Sequence, residues 1–157
     1  MKEQELIIPI VMAFIALLLI FKAVIMVTEQ SAYIIERFGK FNRTAHSGLG
    51  FIIPFVDRKA AAVNLRVQQL DVTIETKTKD DVFVNLQVSV QYSVVRTMVK
   101  EAYYSLENPK NQIASYIFDD VRAEVPKLDL DDVFAKKDDI ANAVQKNIAQ
   151  SMDKYGY

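Results

Sequence analysis

The residues with the most chemical potential in this chain are few and badly placed for catalysis. Its one histidine, His46, stands beside Ser47. A nucleophile and its base must converge from separate parts of a fold, so two sequence neighbours do not make a triad. Without cysteine or a second histidine, His46 has no companion for a zinc site and reads as an exposed loop residue. The same absence removes disulfides, thiolate sites and cysteine nucleophiles. Gly48 and Gly50 invite a phosphate-binding reading, but no third glycine and no helix follow them. The acids Asp119, Asp120, Glu124, Asp129, Asp131 and Asp132 invite a calcium or general-acid reading. Their spacing lacks the glycine and terminal glutamate of a calcium loop, and a solvated helix face accounts for them more simply. No catalytic, cofactor-binding or metal-binding residue is assigned, and no enzyme activity is expected. The formal net charge of −1 argues against a nucleic-acid binder, which carries a basic surplus.

The dominant signal is physical rather than catalytic. From residue 6 to residue 21 no side chain carries a charge, and after Lys22 the apolar run resumes through residue 27. As a helix rising ~1.5 Å per residue, residues 6–27 cover about 33 Å, which matches a bilayer core of roughly 30 Å. The sequence therefore predicts a short tail over residues 1–5 and a membrane-spanning helix over 6–27, marked by Leu6, Ile10, Phe14, Leu18, Phe21, Ile25 and Val27. Lys22 sits near the far end, where its stem can lie in lipid while the ammonium reaches water. Pro9 falls in the first turn, where its missing N–H costs little. A cleaved signal peptide would open with a basic segment and have a shorter apolar core. This chain opens Met1-Lys2-Glu3-Gln4-Glu5. Lys22, Arg37, Lys40 and Arg43 on the C-terminal side outnumber Lys2, so the positive-inside rule places the following domain in the cytoplasm of a single-pass membrane protein.

Residues 28–157 are long enough for one domain with its own core. Strand-like alternation over residues 28–38 is followed by a turn at Gly39-Lys40, a short return strand over 41–44 and a small-residue loop over 45–50. Residues 51–56 are strongly apolar but contain Pro54 and are too short to span a bilayer. They read either as core strand or as an interfacial segment beside the anchor. Extended structure continues to residue 72, with a bend near Gln68-Gln69. Val82, Val84, Leu86, Val88, Val90, Tyr92 and Val94 then alternate with mostly polar residues. This is the pattern of an antiparallel sheet with one face packed and one wet, closed as a hairpin at residues 79–81. Helices follow: one capped by Thr97, one capped by Asn108 with Pro109 at its first position, a helical turn at Val133-Phe134, and a last helix from Lys137. The inward stripe of that last helix is Ile140, Val144, Ile148, Met152 and Tyr155. The fold class is α+β, with a mainly antiparallel sheet and packed helices.

Several ordered motifs resemble the stomatin/prohibitin (SPFH, band 7) family. They are Glu36-Arg37-Phe38-Gly39-Lys40-Phe41, Ser47-Gly48-Leu49 and Ile53-Pro54-Phe55-Val56-Asp57-Arg58, then Leu65-Arg66-Val67-Gln68-Gln69-Leu70-Asp71-Val72 and Glu75-Thr76-Lys77-Thr78-Lys79-Asp80. Val82-Phe83-Val84-Asn85, Val125-Pro126-Lys127-Leu128-Asp129-Leu130-Asp131 and Tyr155-Gly156-Tyr157 continue the likeness. The branch most resembled is that of the hypersensitive-induced-response proteins. The resemblance implies an SPFH domain over residues 28–157 and a non-enzymatic membrane scaffold. Such proteins form homo-oligomeric rings or cages that enclose membrane microdomains and regulate proteases or channels. An adaptor docking one such partner without a ring is the alternative. It also implies that Leu49, Phe51, Ile52, Ile53, Pro54 and Phe55 are candidates for membrane contact. Two departures stand out. The Met-Gly start needed for myristoylation is absent, so residues 6–27 would take over attachment. Relatives also continue past the position of Tyr157 with another strand and a long helix, so the resemblance implies either a longer protein or impaired assembly.

Overall fold

A computed structural model describes the backbone of residues 2–157 and the side chains from Val11 onward other than Ile15. The chain divides into two compact units, Met1–Leu65 and Arg66–Tyr157.

In the first unit, helix α1 runs Lys2–Ala23 and strand β1 follows directly at Val24–Val27. The helix therefore ends four residues before the apolar run does. Val24, Ile25 and Val27 are β-branched, which disfavours helix and suits a pleated ribbon, and a partner strand is available. That partner is β4, Gly48–Phe51, whose first three residues the sequence suggested as a loop; it pairs antiparallel with β1. Between them lie β2 (Ser31–Arg37) and β3 (Lys40–Ala45), and after them β5 (Asp57–Asn64). These three form a second antiparallel sheet in the order β3-β2-β5. Ile35 is buried in this sheet and packs with Val27 and Ala45, joined by half-buried Ile25, Tyr33 and Ile52. Residues 51–56 are thus neither a core strand nor a uniform surface. Phe51 ends β4, and the remainder is a loop in which exposed and half-buried residues alternate. Among the described residues no helix is long and apolar enough to cross a membrane. Leu6 and Ile10 of the expected span lie outside the described side chains.

In the second unit, β6 (Gln68–Lys77) and β7 (Phe83–Tyr92) pair through ten residues each, with the bend before them at residues 65–67. Val72 and Ile74 pack beneath α3 (Pro109–Glu124) and α5 (Lys137–Met152), against Ile113, Ile117, Val121, Val144, Ile148 and Met152. Burying an Ile or Val contributes roughly 1.5–3 kcal/mol relative to leaving it exposed, and this cluster dominates the unit. The Asn108 side chain accepts from the Asn111 N–H at 3.2 Å and Pro109 opens α3, as the sequence predicts. Thr97 is no cap: a 3-10 turn at Arg96–Met98 leads into α2, Val99–Tyr104, without a side-chain cap. The short α4, Leu130–Ala135, begins where the Leu130 N–H donates to Asp80 at 3.2 Å. Asp80 also accepts from the Thr78 hydroxyl, which holds its carboxyl below the usual range. The β6–β7 turn therefore grips a segment 50 residues away. The chain closes at Gly156, whose φ of +82° is left-handed and whose carbonyl accepts from the Val95 N–H at 2.9 Å.

Candidate membrane-contact site

The β1–β4 ribbon has two unlike faces because opposite residues share a face and alternate along the strand. Ile25 and Val27 point to the Ile35 core, and Gly50 opposite Ile25 leaves room for it. A Cβ at Gly50 would stand 3.1 Å from Ile25 Cγ1. The other face carries two apolar cross-strand pairs, Val24 with Phe51 and Met26 with Leu49. Met26, Leu49 and Phe51 are 74%, 73% and 66% exposed. Soluble monomers rarely leave such a contiguous apolar patch uncovered, and here it begins one residue after α1 ends.

A chain of hydrogen bonds carries this surface to the end of the second sheet. The Ile52 N–H donates to the Ala23 carbonyl at 2.7 Å, fastening the loop to the end of α1. The Ile53 N–H donates to Asp57 Oδ2 at 3.0 Å, and the Asp57 N–H returns to the Ile53 carbonyl at 2.9 Å. Arg37 then grips Asp57 with two donors, Nε to Oδ1 at 2.7 Å and Nη2 to Oδ2 at 3.2 Å. This fork geometry is the strong form of a carboxylate–guanidinium pair. The Arg37 guanidinium, assisted by the Ile53 N–H, holds the Asp57 carboxyl below the usual carboxylate range. Asp57 in turn raises Arg37. Arg43 donates to the Phe51 carbonyl from β3.

The six residues expected to contact the membrane divide in two. Leu49, Phe51, Ile53 and Phe55 are exposed, whereas Ile52 and Pro54 are half-buried and Ile52 packs on the Val27–Ile35–Ala45 cluster. Of the residues expected to span, Phe14, Leu18 and Phe21 are exposed on α1. Ile25 and Val27 are corrected: they lie in β1, not in a helix, and Val27 is buried. Their run of β-branched residues is as compatible with a paired strand as with a membrane helix, and only the distant partner β4 decides. Val24 and Met26, inside the expected span, are likewise in β1, on its exposed face.

The residues with chemical potential remain apart. His46 and Ser47 are exposed between β3 and β4. Among the described residues no cluster of three His, Asp or Glu is placed to hold a metal. Glu124, Asp129 and Asp132 pair with Lys127, Lys79 and Lys136 at 2.8, 3.8 and 3.3 Å.

The chain is thus an α+β domain of antiparallel sheets and packed helices that follows an apolar helix. The SPFH domain / Band 7 family model matches residues 25–157, and the chain belongs to that family. Among curated relatives, hypersensitive-induced response protein 4 of Arabidopsis thaliana is 43% identical over 132 residues, 83% of this chain and 45% of the relative. The mitochondrial stomatin-like protein 2 of Homo sapiens is 30% identical over 134 residues, 85% of this chain and 37% of that protein. An uncharacterized protein of Methanothermobacter thermautotrophicus is 28% identical over 151 residues, 96% of this chain and 46% of the relative. The chain spans less than half the length of these relatives.

Proposed function

We propose that this chain is the membrane-attached part of a non-enzymatic scaffold. In this reading α1 anchors the protein across the bilayer. The open face of the β1–β4 ribbon and the exposed side of loop 52–56 rest in the lipid interface, and the rest of the domain lies in the cytoplasm. Copies assemble into rings or cages that enclose a membrane patch and regulate a membrane protein such as a protease or channel. The observation that carries this reading is continuity. The apolar run of α1, with Lys22 in its last turn, leads directly in sequence into the exposed residues Val24 and Met26, which pair with exposed Phe51 and Leu49, and a bilayer is a solvent that suits both. Membership of the SPFH family supports the scaffold role.

The test is fractionation of the protein from its native membrane. Detergent should release it and alkaline carbonate should not; release by carbonate would overturn the anchor. A monomer in mild detergent would overturn the ring. Because the chain has no cysteine, Asp81→Cys reports topology cleanly. It should resist an impermeant thiol reagent in intact cells, and labelling there would place the domain outside.

A further inference from the structure

Two phenylalanines are the most exposed large apolar residues in the described chain, Phe55 at 88% and Phe38 at 81%. Both also have left-handed backbone, with φ of +68° and +50°. A bulky L-residue in that region is a strained outlier, and such strain persists where surrounding structure enforces it and function uses it. The enforcement is visible. Phe38 and Gly39 form the two-residue turn between Arg37 and Lys40, which pair across β2 and β3, so both turn residues take positive φ. Phe55 sits in the loop closed by the Ile53–Asp57 hydrogen bonds. Arg37 and Asp57 are register partners as well as an ion pair, so the two rings occupy the same end of the β2–β5 ladder. That end is tied through Ile53 and Ile52 to the last residue of α1.

The charge around them has one sign in excess. From residue 22 to residue 65 the chain has six basic residues against three acidic ones, although the whole chain is −1. Lys40, Arg43 and Arg58 are exposed on the strands that carry or flank the two tips. Asp57 is engaged by Arg37, and Glu36 lies 3.8 Å from Arg58. Exposed aromatic rings among lysine and arginine side chains are the chemistry of an anionic lipid surface: rings enter the headgroup–acyl boundary and cations pair with phosphates.

We infer that Phe38 and Phe55 form a second, aromatic membrane-insertion point, clamped by Arg37–Asp57 and selective for anionic phospholipid bilayers. The inference rests on the membrane reading of the ribbon and adds a residue, Phe38, and a lipid class to it.

The chain contains no tryptophan, so single substitutions become clean reporters when this chain is reconstituted into vesicles. Phe38→Trp, Phe55→Trp, Phe51→Trp and Asn64→Trp are compared, with brominated phosphatidylcholine as quencher, in vesicles with or without phosphatidylglycerol. Asn64 pairs with Ser31 at the opposite end of the ladder, about 20 Å away at ~3.3 Å per residue. The expected result is that Phe38→Trp and Phe55→Trp lose about half their emission or more, as rings at the acyl boundary do. Asn64→Trp should lose little. Quenching should weaken without phosphatidylglycerol, and Lys40→Glu with Arg58→Glu should abolish that lipid preference. Quenching of Phe51→Trp alone would overturn the inference and leave the ribbon reading standing; quenching of none would overturn both. Equal quenching in the two vesicle types would overturn the lipid class. Should Phe38→Trp fail to fold, Phe55→Trp carries the same test in a loop with its own closure.

Discussion

The molecule contains two antiparallel ribbons built on the same alternation and finished in opposite ways. In β6–β7 the apolar face, with Val72 and Ile74 at its centre, is roofed by α3 and α5, and the other face is polar apart from exposed Phe83 at its end. In β1–β4 one face packs on Ile35 and Ala45, and the other presents Val24, Met26, Leu49 and Phe51 with no roof described. A water-facing ribbon would carry polar residues at those four positions, as β6–β7 does at Gln69, Asp71, Thr73 and Glu75. The difference is one of cover: protein roofs one apolar face, and the other is left exposed, as the proposed membrane contact requires.

The largest effect that separates the two ribbons is on stability. Ile117→Ala removes a fully buried side chain from beneath β6, and such truncations cost about 2–5 kcal/mol. Leu49→Ala removes a side chain of similar size that is mostly exposed and is expected to change folding by less than about 0.5 kcal/mol. Thermal unfolding of the detergent-solubilised protein should show a large loss for the first and almost none for the second. A comparable loss for Leu49→Ala would mean that its face is covered by protein.

The same contrast explains how much could be read from sequence. Where an element is defined by its own residues, the reading holds. Asn108-Pro109 starts α3, the alternation through Val84, Leu86, Val88 and Val90 marks β7, and the four-residue spacing of Ile140, Val144, Ile148 and Met152 marks the face of α5. Where an element is defined by a distant partner, the reading fails. Gly48-Leu49-Gly50-Phe51 carries the glycines of a loop and becomes a strand only because residues 24–27 pair with it. Those residues, apolar and mostly β-branched, look the same in a membrane helix and in a strand. Asp80 accepts from the first N–H of a helix 50 residues further on, a contact that local spacing could not reveal. Phe38 was hidden for another reason: a primed turn normally announces itself as Asn-Gly or Gly-Gly, and here it is Phe-Gly.

The second way to sharpen the comparison is through the clamp at the end of the open surface, an ion pair between register partners where β6–β7 has the Ser89 hydroxyl donating to Asp71. Asp57 has a lowered pKa because Arg37 and the Ile53 N–H favour its charged form. A carboxyl whose folded pKa lies below its unfolded value stabilises the fold above that unfolded value, about 3.8. The contribution is lost as pH falls from there through the folded pKa. Asp57→Asn should therefore lower stability at neutral pH and flatten the acid limb of an unfolding-against-pH curve below about pH 4. An unchanged acid limb would show that the pair does not hold the loop.

The smallest effect is a gain, and it tests the open surface from within. Phe38 occupies left-handed backbone that glycine adopts freely. Relieving that conformation recovers roughly 1–2 kcal/mol, offset by about 0.4–1 kcal/mol for the freer unfolded chain. Phe38→Gly should thus stabilise the folded domain by up to about 1 kcal/mol, or a few degrees in Tm for a domain of this size. Little packing is lost, because the ring is already in solvent. If the ring existed to support the fold, the variant would melt lower. A variant that melts higher yet weakens the domain's hold on anionic vesicles would show that strain at the tip is kept for the membrane.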